Sequence, residues 1–259
     1  MTLFPKKLSS VVWELTLRCN AHCSHCGSSA GTMRAHELTL DESLRVCDQL
    51  AELHCERINL MGGELFLYPH WKKIASYLSK KGILVSIITN GILLNKENIS
   101  FLKEINTETI GISLDGGLAQ THDTVRQVPG LFDRIFQNIP TISQAGIPLV
   151  AITTLTKKNL LELNILKEKL LNSGFRGWQL QIAALTGRMA EAFLLNQEEY
   201  YIAGLFAAKN TISVPQNKLQ ITAMHDFGYY SKTIPIKKGL FGWTGCPAGK
   251  GVLGIRSDG

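Results

Sequence analysis

Short apolar, β-branched runs alternate along most of this 259-residue chain with longer stretches whose apolar residues recur every three or four positions. The short runs predict strands over Val11–Leu17, Arg57–Met61, Leu84–Thr89, Thr109–Leu114, Leu149–Thr154 and Trp178–Ala183, each entering a polar or glycine-containing loop. The longer periodic stretches predict helices over Thr39–Leu53, His70–Lys80, Lys96–Ile105, Phe132–Gln144 and Leu160–Asn172. Thr39-Leu40-Asp41-Glu42 reads as a capping box, and Lys80 and Lys81 before Gly82 close the second helix. Six strand-then-helix repeats imply an α/β fold with a parallel sheet, because parallel neighbours require a crossover between them.

A chain that is 45% hydrophobic and 19% charged can bury a sizeable core, as one large domain or one with a small appendage. After Glu191 the alternation fades into a mixed stretch reaching Phe241, with one helical segment at Glu198–Lys209. The formal charge of +6 is scattered in small clusters such as Lys6-Lys7, Lys72-Lys73, Lys157-Lys158 and Lys237-Lys238. Such scatter describes a solvated surface and permits an acidic peptide partner. No basic strip is interleaved with aromatics, so nucleic acid is not favoured. No apolar run nears the roughly 20 residues of a membrane helix, and Met1–Ser10 lacks the core of a signal peptide. Free thiols point to a reducing, cytoplasmic setting.

The run Leu17-Arg18-Cys19-Asn20-Ala21-His22-Cys23-Ser24-His25-Cys26 brings three thiols into one short loop just after a strand. A 4Fe-4S cluster normally takes four thiolates, so a loop offering three leaves one iron open for chemistry. Zinc, with His22 or His25 as a further ligand, is the competing reading; a disulfide framework would need an even, dispersed set. Gly62 and Gly63 end another apolar run, where missing side chains let backbone approach a ligand, and Glu64 then offers a carboxylate to a cation. Arg126 carries a fork of donors suited to a carboxylate, and Ser113 at a strand end adds a hydroxyl. Cys47 and Cys55 read as small buried hydrophobes.

The spacing Cys-x-x-x-Cys-x-x-Cys resembles the signature of the radical S-adenosylmethionine superfamily. Met61-Gly62-Gly63-Glu64, Thr89-Asn90-Gly91, Ile112-Ser113-Leu114-Asp115-Gly116 and His122-Asp123-Thr124-Val125-Arg126 follow in that family's order. The last two are similar to the branch that modifies peptides and proteins, and the likeness covers residues from about 10 to 190. It implies a partial (β/α)6 TIM-like barrel over residues 1–190, with the active site at the C-terminal strand ends. It implies that Cys19, Cys23 and Cys26 hold three irons while S-adenosylmethionine chelates the fourth. One electron, from a flavodoxin or ferredoxin, then releases a 5'-deoxyadenosyl radical that takes hydrogen from substrate. Gly62, Gly63, Glu64, Ser113 and Arg126 are expected to bind S-adenosylmethionine. His25 occupies a position where the family commonly has an aromatic against the adenine; a solvated loop histidine is the alternative. Gln179, Gln181 and Gly187-Arg188 line the mouth or remain rim residues.

Trp243-Thr244-Gly245-Cys246-Pro247-Ala248-Gly249-Lys250 resembles the opening of a SPASM or twitch extension, in which a hairpin supplies the first ligand of an auxiliary 4Fe-4S cluster. The expected organisation is therefore a core at 1–190, a connector at 191–241 and an incomplete SPASM/twitch segment at 242–259. Cys246 alone cannot hold such a cluster, and the chain stops at Gly259, so a truncated protein or gene fragment is expected; a naturally shortened enzyme is the alternative. The implied activity is radical modification of a peptide or protein, with a leader peptide among its partners. Small-molecule or cofactor biosynthesis, and iron-sulfur binding without turnover, are the alternatives.

Overall fold

The computed structural model describes residues 8–224 and 246–259. Residues 225–241 of the expected connector, Trp243–Gly245 of the final motif, Lys6-Lys7 and Lys237-Lys238 lie outside the described residues. Eight strands form one all-parallel sheet: β1 (Ser10–Glu14), β2 (Arg57–Met61), β3 (Leu84–Thr89), β4 (Ile110–Ser113), β5 (Leu149–Leu155), β6 (Gly177–Ile182), β7 (Gln220–Ala223) and β8 (Val252–Ile255). Their order is β7-β6-β5-β4-β3-β2-β1-β8, an α/β partial barrel. The helices are α1 (Leu40–Glu52), α2 (Trp71–Lys80), α3 (Lys96–Glu104), α4 (Ala119–Arg126), α5 (Leu131–Ala145), α6 (Leu163–Asn172) and α7 (Gln197–Ser213).

Strands of a parallel sheet are covered on both faces, and apolar residues such as Val11, Trp13, Ile58, Leu60, Ile87, Ile110 and Leu180 carry the packing here. The register stacks buried residues in layers: Val11 pairs with Ile58 and Ile58 with Val85, while Ile110 pairs with both Ile87 and Leu149. The helices start where local chemistry allows. Thr39 and Glu42 exchange hydrogen bonds as a capping box at α1, and Asn196 and Glu199 do the same at α7. Gly146 ends α5 in the left-handed conformation, at φ +76°.

Four features depart from the sequence expectation. β1 stops at Glu14 rather than Leu17, because residues 16–18 turn to run across Gly62 and Gly63. The polar run Ala119–Arg126 forms α4, burying only His122 and Val125. The alternation does not fade after Glu191: α7 and β7 continue it and extend the sheet beyond β6. Val252–Ile255, outside the six expected strands, pairs parallel with β1 and forms the opposite edge. Cys47 is fully buried, and burial pushes its thiol up to about 12. Among the described residues, no helix is long and apolar enough to cross a membrane.

Candidate functional site

The expected motifs meet at the C-terminal ends of β1 to β4, where loops of a parallel barrel converge. The loop leaving β1 closes on itself: Cys19 N donates to Gly31 O (3.0 Å) and Gly31 N to Leu17 O (3.0 Å). Its entry is pinned by Glu37, which accepts from Leu17 N (2.7 Å) and Thr16 Oγ1 (2.8 Å). Burial alone would raise the Glu37 carboxyl, but these donors hold it below its ordinary value.

Gly62 and Gly63 serve this loop directly. A side chain on Gly63 would strike the carbonyls of Leu17 and Arg18, and one on Gly62 that of Thr16. Gly63 N donates to Thr16 O and Glu64 N to Arg18 O, each at 2.7 Å. The two glycines therefore let the end of β2 approach the chain's own cysteine loop. The Glu64 side chain is buried against the end of β3. It accepts from Thr89 Oγ1 (2.8 Å) and Asn90 N (2.9 Å). Desolvation raises its pKa, against the pull of these hydrogen bonds and of Arg126.

The three thiols are unpaired, Cys23 buried and the other two half-buried. Each receives an N–H from the protein: Asn90 Nδ2 to Cys19 Sγ (3.9 Å), Arg126 Nη1 to Cys23 Sγ (3.7 Å) and Ala30 N to Cys26 Sγ (3.3 Å). Donors aimed at all three sulfurs fit thiolates. Burial raises the Cys19 thiol, against a hydrogen bond from the Ala21 backbone, and nearby Glu64, Cys23 and Cys26 raise it further; a bound metal cation offsets such a rise. Among the described residues, no three Cys, His, Asp or Glu side chains converge to hold one metal ion. A cubane asks instead that each sulfur take its own iron.

Beside the loop lies a charge network that the sequence reading passed over. Asp115, just beyond β4, is wholly buried and forms an ion pair with Arg126 Nη2. It also lies 3.1 Å from His25 Nε2 and accepts from Thr154 N (2.8 Å). Burial would raise the Asp115 carboxyl, but Arg126 and His25 hold it well below the usual carboxylate range. His25 is thus neither solvated nor free to turn; its Nδ1 is buried and, among the described residues, has no hydrogen-bond partner. Arg126, half-buried at the end of α4, keeps a buried Nε without a partner among the described residues. Burial opposes its charge, while Asp115 and Cys23 raise its pKa. His122 accepts from Asp115 N at Nδ1 (3.1 Å), and burial, aided by Arg126, lowers its pKa to about 4. Ser113 ends β4 half-buried beside this network.

Arg188, read as a mouth or rim residue, grips the loop: Nε donates to Cys23 O (2.9 Å) and Nη1 to Ala30 O (2.8 Å). Gln181 is tied to Thr154 Oγ1 (3.0 Å). Cys246 is exposed ahead of β8, at the end of the sheet opposite the three loop thiols, since Gly251 meets Ser9 just before β1. Asn90 and Asp115 lie in quoted motif segments, although nothing in the sequence names their partners, and Glu37 is legible only as a polar loop residue.

A curled parallel sheet with three donor-supplied thiols at its C-terminal rim defines a class of metal-cluster barrel proteins. The profile of the Radical SAM superfamily matches residues 13–168, and the chain belongs to that superfamily. It is 34% identical over 191 residues to the AdoMet-dependent heme synthase of Methanosarcina barkeri, covering 73% of this chain and 55% of that protein. It is 30% identical over 176 residues to the subtilosin biosynthesis protein AlbA of Bacillus subtilis, covering 68% and 39%. Streptococcus suis SuiB bound to S-adenosylmethionine superposes with a TM-score of 0.76 at 14% identity, covering 98% of this chain and 59% of SuiB. The chain thus spans about half the length of the curated relatives it matches. The superfamily works with a 4Fe-4S cluster and S-adenosylmethionine.

Proposed function

We propose that Cys19, Cys23 and Cys26 hold three corners of a 4Fe-4S cluster and leave the fourth to S-adenosylmethionine, in an enzyme that modifies a peptide or protein by radical chemistry. The observation that carries this reading is the N–H donor supplied to each of the three sulfurs. When bound, the two groups together supply one-electron cleavage of a sulfonium bond and a carbon radical that abstracts hydrogen.

The chain's own residues bind and orient. Asn90, Arg126 and the Ala30 amide stabilise the thiolates through outer-sphere hydrogen bonds. Asp115 fixes Arg126 and His25, so that the unpartnered Arg126 Nε and the Ser113 hydroxyl serve a carboxylate. Glu64 fixes the end of β3 through Thr89 and Asn90 and, with acceptor sites left on its carboxylate, offers charge to the amino group of S-adenosylmethionine beside Gly62 and Gly63. The buried ring of His25, anchored at Nε2, supplies an edge to a nucleobase. Cys246 becomes an auxiliary-cluster ligand only where further thiols join it in a longer chain.

The peptide substrate, with its leader, rests on the maturase relatives, AlbA among them. A flavodoxin- or ferredoxin-like donor in the reducing cytoplasm supplies the electron. A second reading, a tetrapyrrole or other small cofactor precursor as substrate, is favoured by the higher identity to the heme synthase. Anaerobic reconstitution with iron, sulfide, S-adenosylmethionine and dithionite tests the common core. The parent is expected to form 5'-deoxyadenosine, and a chain with Cys19, Cys23 and Cys26 all changed to Ala to form none. Equal amounts from both sink the proposal. Mass spectrometry of a precursor peptide encoded beside the gene, against an iron porphyrin, separates the two substrates.

A further inference from the structure

Two guanidinium groups touch the cysteine loop, and they differ in one respect. Arg126 is neutralised by the buried Asp115 carboxylate, with which it forms an ion pair. Arg188 has no ion-pair partner among the described residues, and its Nη2 is buried without a hydrogen-bond acceptor. Its other donors go only to neutral carbonyls, those of Cys23 and Ala30, and its own amide donates to Cys26 O (2.9 Å). The preceding residue locks it in place. Gly187 has φ +60°, and a side chain there would strike the carbonyls of Cys26 and Gly27. Arg188 is half-buried as a whole, but a guanidinium nitrogen buried without an acceptor is costly unless an anion offsets it. Three thiolates on a cubane leave that group with net charge −1 when oxidised and −2 when reduced, by summing the charges of a 2+ or 1+ core and three thiolates.

We propose that Arg188 is the counter-charge of the cluster: a positioning residue that favours the reduced form and raises its midpoint potential. This rests on the cluster assignment above. Arg126 contributes less to the potential, because Asp115 already cancels its charge. The post-β6 segment, remote in sequence, thereby sets the electrochemistry of the first loop.

The test compares the parent, Arg188→Gln and Arg188→Lys after anaerobic reconstitution. Iron and sulfide content is measured first, then the midpoint by EPR-monitored titration. The Gln variant is expected to load its cluster and to favour reduction at least about tenfold less, about 59 mV lower for one electron. The Lys variant, which keeps the charge but loses the fork, is expected to load and to stay near the parent. A Gln variant with the parent's midpoint overturns the inference, as does a Lys variant that falls as far as Gln. Should the Gln variant not load, the Lys variant decides: loading with the parent's midpoint supports the counter-charge, and failure to load overturns it. A parent that takes up no iron overturns the cluster assignment as well, so the two failures are distinguishable.

Discussion

The rim at the ends of β1 to β4 and the flank built by β5, β6, β7 and α7 belong to one sheet but are held together by different physics. At the rim, Glu64, Asn90, Asp115 and His122 are buried polar groups positioned by directional contacts, and Asp115 alone engages Arg126, His25 and Thr154. In the flank, Trp178, Leu180, Phe175, Ala203 and Ala207 fill space, and the Trp178 ring meets Phe206 edge-on at 5.7 Å. A packed flank tolerates substitution in proportion to the volume removed. A desolvated charge network fails abruptly when one partner goes, because the remaining charge stays buried.

The largest expected effect therefore comes from the rim. Asp115→Asn strands Arg126 and is expected to cost about 3–5 kcal/mol of folding stability. It also frees the side chain that donates to Cys23 Sγ, so iron bound per chain should fall with it. Urea unfolding and iron analysis on the same preparations check both. A variant within about 1 kcal/mol of the parent would make the rim no more brittle than an ordinary polar surface.

His122 sharpens the contrast through pH. Its pKa is lowered from an ordinary value of about 6.5 to about 4, so the unfolded chain binds more protons between those values. Its contribution is complete above about 6.5 and is lost as pH falls toward 4, amounting to about 3 kcal/mol. Glu64 acts in the opposite sense, since its carboxyl is raised by burial and its folded form favours the proton. The diagnostic is thus the difference between the parent and His122→Asn, which keeps an acceptor for Asp115 N. The variant should lose less stability on going from pH 7 to pH 5; parallel curves would show that His122 does not titrate between folded and unfolded chains.

The same contrast explains what was legible in the sequence. Six strands and six helices, α7 among them through the segment Glu198–Lys209, announce themselves because apolar periodicity is local, and the capping box at Thr39 is a four-residue signal. Helix α4 escaped because Ala119–Arg126 is mostly polar and is held by contacts from elsewhere. Ser24 N, for instance, donates to Val125 O at 2.9 Å. β7 and β8 escaped although each is as long as β4, because Gln220–Ala223 is half polar and Val252–Ile255 contains Gly254 and lies between Gly251 and Arg256. The thiols of the site are marked by spacing, whereas their supports are not. Arg188 reaches Cys23 across 165 residues, and Asp115 is one carboxylate in an apolar stretch whose partners come from three other segments. The motif glycines were visible, but what they approach was not, since a sequence shows where a side chain is missing and not which backbone fills the space.

The smallest expected effect tests whether the two regions are independent. Trp178 Nε1 donates to Thr153 Oγ1 (2.8 Å), whose hydroxyl donates to Leu114 O (2.6 Å), one residue before Asp115. This is a continuous polar link from flank to rim. Trp178→Phe removes its first bond and part of a packed ring, for an expected loss of about 1–2 kcal/mol, read as a fall in Tm of about 2–4 °C per kcal/mol. Thr153 keeps its own bond to Leu114, so Asp115 should stay in place and iron bound per chain should not change. If iron loading drops in step with Tm, the link transmits strain and the rim is not self-contained. If loading holds while stability falls, the flank is scaffold and the charge network alone presents the three sulfurs.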